Sequence, residues 1–207
     1  MTRAAHSNPL PALRGLGRLI GTAAAAGLAV TLGGCSAYEY VSETISAPIV
    51  LSCPKSWVIA DALNLTKFQD GGRKDLIDVE YEGDIAGIEL GCTTKVDKKT
   101  KVGSMDVEVS IVVNATRGPA NRDHKGRYDY FVSVTDNDRK VLYREAFVLP
   151  VEFPGNKTKL QIRTDPIVLQ IPIEPGKSSG YYKIFTGFKL THDQLEFNRA
   201  RIQNAKK

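Results

Sequence analysis

The sequence predicts an all-β fold: an antiparallel, immunoglobulin/fibronectin-like β-sandwich of seven to eight strands with a short C-terminal helix. Three observations lead there. Short apolar runs of period two recur from about residue 49 to residue 190, separated by turn residues. No helical pattern alternates with these runs, which argues against a parallel sheet. Two cysteines, Cys53 and Cys92, sit inside such runs at positions of matching parity.

Ile49 to Cys53 reads as a short strand closed by Pro54. From Ser56 to Phe68 the apolar residues fit neither period, and a strand pair and a helical turn both stay open. Asp70-Gly71-Gly72-Arg73 is a turn. Val79, Tyr81 and Ile85 share one parity; Ile88, Leu90 and Cys92 take the other. The change falls around Gly83 and Gly87, where a β-bulge would re-aim the strand. Asp97 to Lys101 forms a charged hairpin loop. Met105, Val107, Val109, Ile111 and Val113 then alternate with polar residues, the clearest half-buried strand in the chain.

After a polar loop at residues 117–127, Tyr128, Tyr130, Val132 and Val134 alternate again, and Asp136-Asn137-Asp138 turns the chain. Val141, Tyr143, Phe147, Leu149, Val151 and Phe153 share one parity in a long strand that Pro150 can bend. Glu145, the one charge on that parity, is read as marking a sheet edge. Pro154-Gly155-Asn156 turns the chain again. Leu160 and Ile162 face inward. After Asp165-Pro166 the parity flips to Ile167, Leu169, Ile171 and Ile173, and a strand broken in this way can leave one sheet and join the other. The chain turns between Pro175 and Gly180 and returns through Tyr182, Ile184, Phe188 and Leu190. Thr191 can cap a helix from about His192 to Ile202, with Gln194 as its reciprocal partner. The helix has a thin apolar face (Leu195, Phe197, Ile202), expected to pack on the sandwich edge or a partner. It ends in the basic tail Lys206-Lys207.

Equal parity with their apolar neighbours turns both cysteine sulfurs toward the core. With no Cys-x-x-Cys and no nearby histidine, a disulfide is expected rather than a redox or metal pair. Closing a loop of 39 residues stabilises by about 3–4 kcal/mol in the chain-entropy picture.

Ahead of all this lies a leader. Residues 1–34 contain Arg3, Arg14 and Arg18 and no acid, and an Ala- and Gly-rich apolar run from Leu19 to Val30 follows the basic part. The run is shorter than the ~20 residues of a membrane-crossing helix and has the layout of a secretory signal. Leu32, Gly33, Gly34 and Cys35 resemble the lipobox of bacterial lipoproteins, with Gly33 where Ala or Ser is more usual. The resemblance implies cleavage before Cys35, a diacylglyceryl group on its sulfur and an acyl chain on the new amine. These would be the chain's only non-protein groups. Two or three acyl chains suffice for stable membrane residence. Ser36 is not the Asp that retains such proteins in the inner membrane of some bacteria, so the outer membrane is favoured and the inner one stays open.

The expected organisation is therefore a signal peptide at 1–34, a lipidated N-terminus and tether at 35–47, and a domain at 48–207 with its helix from about 191. Several phrases of that domain are similar to an uncharacterised family of alphaproteobacterial envelope lipoproteins. They are Cys53-Pro54, Gly72-Arg73 with Asp75-Leu76-Ile77-Asp78, Tyr130-Phe131-Val132, the Arg139-to-Phe147 strand, and Gly187-Phe188 leading to Leu195 and Asn198-Arg199. That likeness implies a cellular address and no mechanism.

Cleavage leaves 173 of the 207 residues, one domain of ordinary size. The leader holds three of the 28 Lys and Arg and none of the 23 Asp and Glu, so the formal charge falls from +5 to +2. A chain so close to neutral is a poor nucleic-acid binder. No catalytic or metal site is expected. His124 and His192 lack spaced partners, and Asp136 to Asp138 lacks the Gly and terminal Glu of a calcium loop. No nucleophile elbow, Walker loop or dinucleotide fingerprint occurs. Lys95 to Lys101 is read as a solvated loop before a contact with anionic lipid. The sequons at Asn64, Asn114 and Asn156 are expected to be idle in a bacterium. The expected role is a non-catalytic binding or scaffold module for another envelope component. The alternative is a periplasmic carrier of a small apolar ligand. A hydrolase comes third and needs His124 beside a nucleophile and an acid.

Overall fold

A computed structural model describes residues 49–204. The leader, Leu32 to Cys35, the tether and the Lys206-Lys207 tail lie outside the described residues. Nine strands are present: β1 (Lys55–Val58), β2 (Asn64–Phe68), β3 (Val79–Val96), β4 (Gly103–Arg117), β5 (Lys125–Thr135), β6 (Val141–Glu152), β7 (Lys159–Arg163), β8 (Ile167–Ile173) and β9 (Lys183–Phe188). One helix, α1 (His192–Asn204), follows. The strands form two sheets. One has the order β1-β9-β5-β6; the other runs β2-β3-β4-β7, with β8 also on β4. The expected sandwich is found, with one strand more than predicted.

Between the sheets lies a single apolar core. Met105, Val107, Val109, Ile111 and Val113 of β4 are each at most 1% exposed. They face Tyr128 and Val132 of β5 and Ile184 and Phe188 of β9, which are buried as completely. Strict period two made these residues legible, because consecutive side chains on a strand point to opposite faces. Thr186, fully buried among them, donates its hydroxyl to the Phe131 carbonyl at 2.6 Å, which satisfies the polar group.

Several local expectations change. Ile49 to Cys53 is not a strand. The ladder starts after Pro54, at Lys55 opposite Lys183. Pro54 brings no donor, and the segment is held through side chains instead: Leu51 packs on the core and Cys53 bonds to Cys92. β1 runs parallel to β9, the one parallel pairing among the described strands. A parallel neighbour needs a long crossover, and almost the whole domain lies between these two strands. The stretch that fitted neither period holds a 3-10 turn at Ala60–Ala62 between two strands, β1 and β2, which join different sheets rather than pairing with each other.

The bulge in β3 falls at Ala86, between Ile85 opposite Val113 and Gly87 opposite Val112. Gly83 has another function. A Cβ there would stand 2.6 Å from the Tyr128 ring, so its absence lets Tyr128 lie under β3. The Tyr128 hydroxyl donates to the Glu82 carbonyl at 3.0 Å.

β7 and β8 stay on one strand instead of splitting between sheets. Arg163 pairs with Val112 and Ile167 with Val109, so three residues face two and the parity flips by one bulge. Thr164 fills the gap. Its N–H donates to the Ile111 carbonyl at 3.0 Å, and its hydroxyl accepts from the Ile111 N–H at 3.1 Å. Continuing the ladder through Thr164 leaves no reason to cross over.

The helix is capped as predicted. The Gln194 side chain accepts from the Thr191 N–H at 2.9 Å, and the Thr191 hydroxyl accepts from the Gln194 N–H at 3.3 Å. Its thin face packs on β2 at the sheet edge, where Phe197 meets Phe68 edge-on with centroids 5.2 Å apart.

Candidate functional site

A sandwich has two flanks where its sheets face each other edge to edge. One flank is closed by the Cys53–Cys92 disulfide, which joins the chain entering β1 to the C-terminal part of β3 across 5.7 Å between Cα atoms. Both cysteines are half-buried at the rim of the core. On the other flank β6 faces β8, and among the described residues β6 pairs only with β5 and β8 only with β4. Both strands leave a row of backbone groups unpaired. Glu145 lies on this exposed edge, as its charge predicted.

Between these two edges opens a cleft of about 730 Å³. Val134, Leu169, Ile171 and Tyr182 form its buried floor. Leu142 and Val168 stand at the rim, 48% and 62% exposed. Each is apolar on the solvent-facing parity of its strand, where a polar residue is expected. That misplaced parity is the signal in the sequence that marks this flank. Pro150 and Pro172 each interrupt one of the two strands, as befits edges, so the free donor rows run up to Leu149 on β6 and Ile171 on β8.

Several polar groups of the cleft are tied down. Asp136, 7% exposed, accepts from the N–H groups of Asp138 at 3.0 Å and Lys140 at 2.9 Å through one carboxylate oxygen. It caps its own turn. Lys177 pairs with Glu174 at 3.1 Å. The Tyr143 hydroxyl donates to the Glu145 carboxylate. Desolvation first, and Glu145 second, push the Tyr143 phenol up to about 12. Burial also raises Tyr182, against the opposing charge of Lys177. Both phenols are therefore neutral hydrogen-bonding groups at physiological pH. The side chains that line the cleft are apolar, aromatic and amide, with one carboxylate and one ammonium. The arrangement suits binding.

The two histidines among the described residues stand on separate elements. His124 precedes β5 and accepts the Phe153 N–H on its carbonyl at 2.8 Å. His192 opens α1, with its Nδ1 3.7 Å from Glu196. Among the described residues no group of three or more His, Cys, Asp or Glu side chains is placed to hold a metal. No described helix is long and apolar enough to cross a membrane. In the charged hairpin, Lys95 pairs with Asp106 at 2.8 Å and Asp97 accepts from the backbone N–H groups of Lys99 and Thr100. Cys35, Leu32, Gly33 and Gly34 lie outside the described residues.

No family model and no curated protein matches the chain. Among solved structures it is similar to the variable domain of the Streptococcus agalactiae AgI/II polypeptide BspA. The match has 12% identity over 62% of this chain and 73% of that one, with a TM-score of 0.16. An overlap that slight carries no argument about fold or role.

Proposed function

We propose that this chain is a lipid-anchored, periplasm-facing envelope protein whose sandwich is a non-catalytic module binding another envelope component. The leader and Leu32-Gly33-Gly34-Cys35 support the anchor, and Ser36 favours the outer membrane. The observation that carries the binding role is the open flank: two unpaired strand edges with an apolar cleft between them. An extended partner segment can add to either edge through main-chain hydrogen bonds and place alternate side chains in the cleft. Nine residues of β6, Val141 to Leu149, and five of β8, Ile167 to Ile171, are available before a proline intervenes. The largely apolar and aromatic lining supports reading the module as a binder.

A photo-crosslinker placed in living cells at Leu142 or Val168 is the test. It should trap one defined envelope protein, and the same group at Glu196, exposed on α1 at the β2 edge, should not. Acyl-chain labelling of the same cells should mark the parent chain and not Cys35→Ala. Equal trapping at all three positions would remove the flank from the account, and equal labelling would remove the anchor. The cleft volume favours a second reading, a carrier of a small apolar ligand. It calls for a co-purifying molecule in native mass spectra, displaced by Leu142→Trp.

A further inference from the structure

The two outer faces of the sandwich differ in chemistry. On the five-stranded sheet the outward positions of β3 and β4 carry Glu80, Glu82, Asp84, Glu89, Asp106 and Glu108. That face is largely satisfied within itself: Asp84 accepts from Asn114, Arg163 pairs with Glu89 and Lys95 pairs with Asp106.

The four-stranded sheet is the reverse. Its register sets Trp57, Phe185, Ser133 and Arg144 in one outward row, with Lys55 opposite Lys183 in the next. The Trp57 and Phe185 rings stack with centroids 5.5 Å apart and planes 22° apart, and Trp57 stays 41% exposed. The β5–β6 turn, held by Asp136, carries Arg139 to the same place. Trp57, Phe185, Arg139 and Lys183 border a shallow recess of about 400 Å³. Lys55, Arg139 and Lys183 make no ion pair among the described residues. Asp138, in the same turn, is the acid nearest in sequence, and it is exposed.

Stacked rings give an apolar surface for the flat C–H face of a sugar, and unpaired cations beside them give partners for carboxylate or phosphate. A neutral apolar partner would desolvate three cations for nothing. An acidic peptide would use the cations and leave the ring pair idle. A nucleic-acid strand needs aromatics and cations repeated along a track, whereas here they gather at one spot. We propose that this face binds an acidic polysaccharide, one sugar ring lying on Trp57 and Phe185 with its anionic group on Arg139, Lys183 and Lys55. The site is on the outer face and not in the cleft, so it stands or falls independently of the open flank.

Trp57 is the only tryptophan of the chain, so its fluorescence reports on this site alone. The full chain should show a saturable, salt-sensitive change with alginate, a polyuronate, and none with dextran. Arg139→Gln with Lys183→Gln should weaken alginate at least tenfold, and Phe185→Ala should weaken it several-fold. Arg163→Gln on the opposite face should leave it unchanged, with melting temperatures of all variants alike. Absence of an alginate response overturns the proposal. So does equal binding by the double variant or by Phe185→Ala, or equal or tighter binding of polyglutamate or single-stranded DNA.

Discussion

Asn198 is 3% exposed, and its side-chain amide donates to the carbonyls of Asp61 at 3.0 Å and Asn64 at 2.6 Å. One residue thus ties α1 to the 3-10 turn and to the start of β2. Asn198→Ala would leave both carbonyls short of a donor and should cost about 1–3 kcal/mol, read by urea unfolding. Its neighbour Arg199 pairs with Asp61 at 2.9 Å on the exposed side, so Arg199→Ala should cost only about 0–1 kcal/mol. Equal losses would mean that the amide is not the anchor of the helix. Tyr143 gives a second residue-scale expectation. Its folded phenol is raised from 10.0 to about 12, so its contribution to stability is complete below pH 10 and disappears as pH rises through 12. Absorbance titration should find that late phenol, and Glu145→Gln should bring it only part of the way back, because desolvation is the larger cause. Parity showed Tyr143 facing inward but not its bond to Glu145, and the anchoring role of Asn198 was not legible at all. A polar side chain on a helix reads as solvated until something is packed over it.

At the scale of elements, period two was readable and strand partners were not. The parity change in β3 predicted a bulge, and one is present at Ala86. The same signal between β7 and β8 suggested a change of sheet, yet Thr164 keeps both strands on β4. A one-residue insertion reverses parity in either case, and only the available hydrogen-bond partners decide where the strand goes. The disulfide follows from parity too, and it restrains an element that no ladder holds. Cys53→Ala with Cys92→Ala should destabilise the domain by about 3–4 kcal/mol while leaving the secondary structure intact. If urea midpoints with and without reductant coincide, the bridge contributes nothing and the entry segment is held by Leu51 alone.

For the whole molecule, the consequence of the fold is asymmetry. One flank is stapled by Cys53–Cys92 and the other is left open between β6 and β8. One outer face is acidic and internally paired, and the other gathers Trp57, Phe185 and unpaired cations. The formal charge of +2 expected after cleavage hides this separation, because a sum has no direction. A protein tethered by its N-terminus would present such faces to different neighbours.

By itself the sequence determined the fold class, the residues of the core, the capped helix and the cysteine pairing. Each rests on local periodicity or on parity within one strand, which a linear reading contains. The tertiary structure alone decided that β1 lies parallel to β9, that β7 and β8 share β4, and that β6 and β8 end as facing free edges. Those are matters of which strand becomes whose neighbour. They depend on closing long loops, 51 residues from Val112 to Arg163 and 128 from Lys55 to Lys183, and no local pattern encodes them.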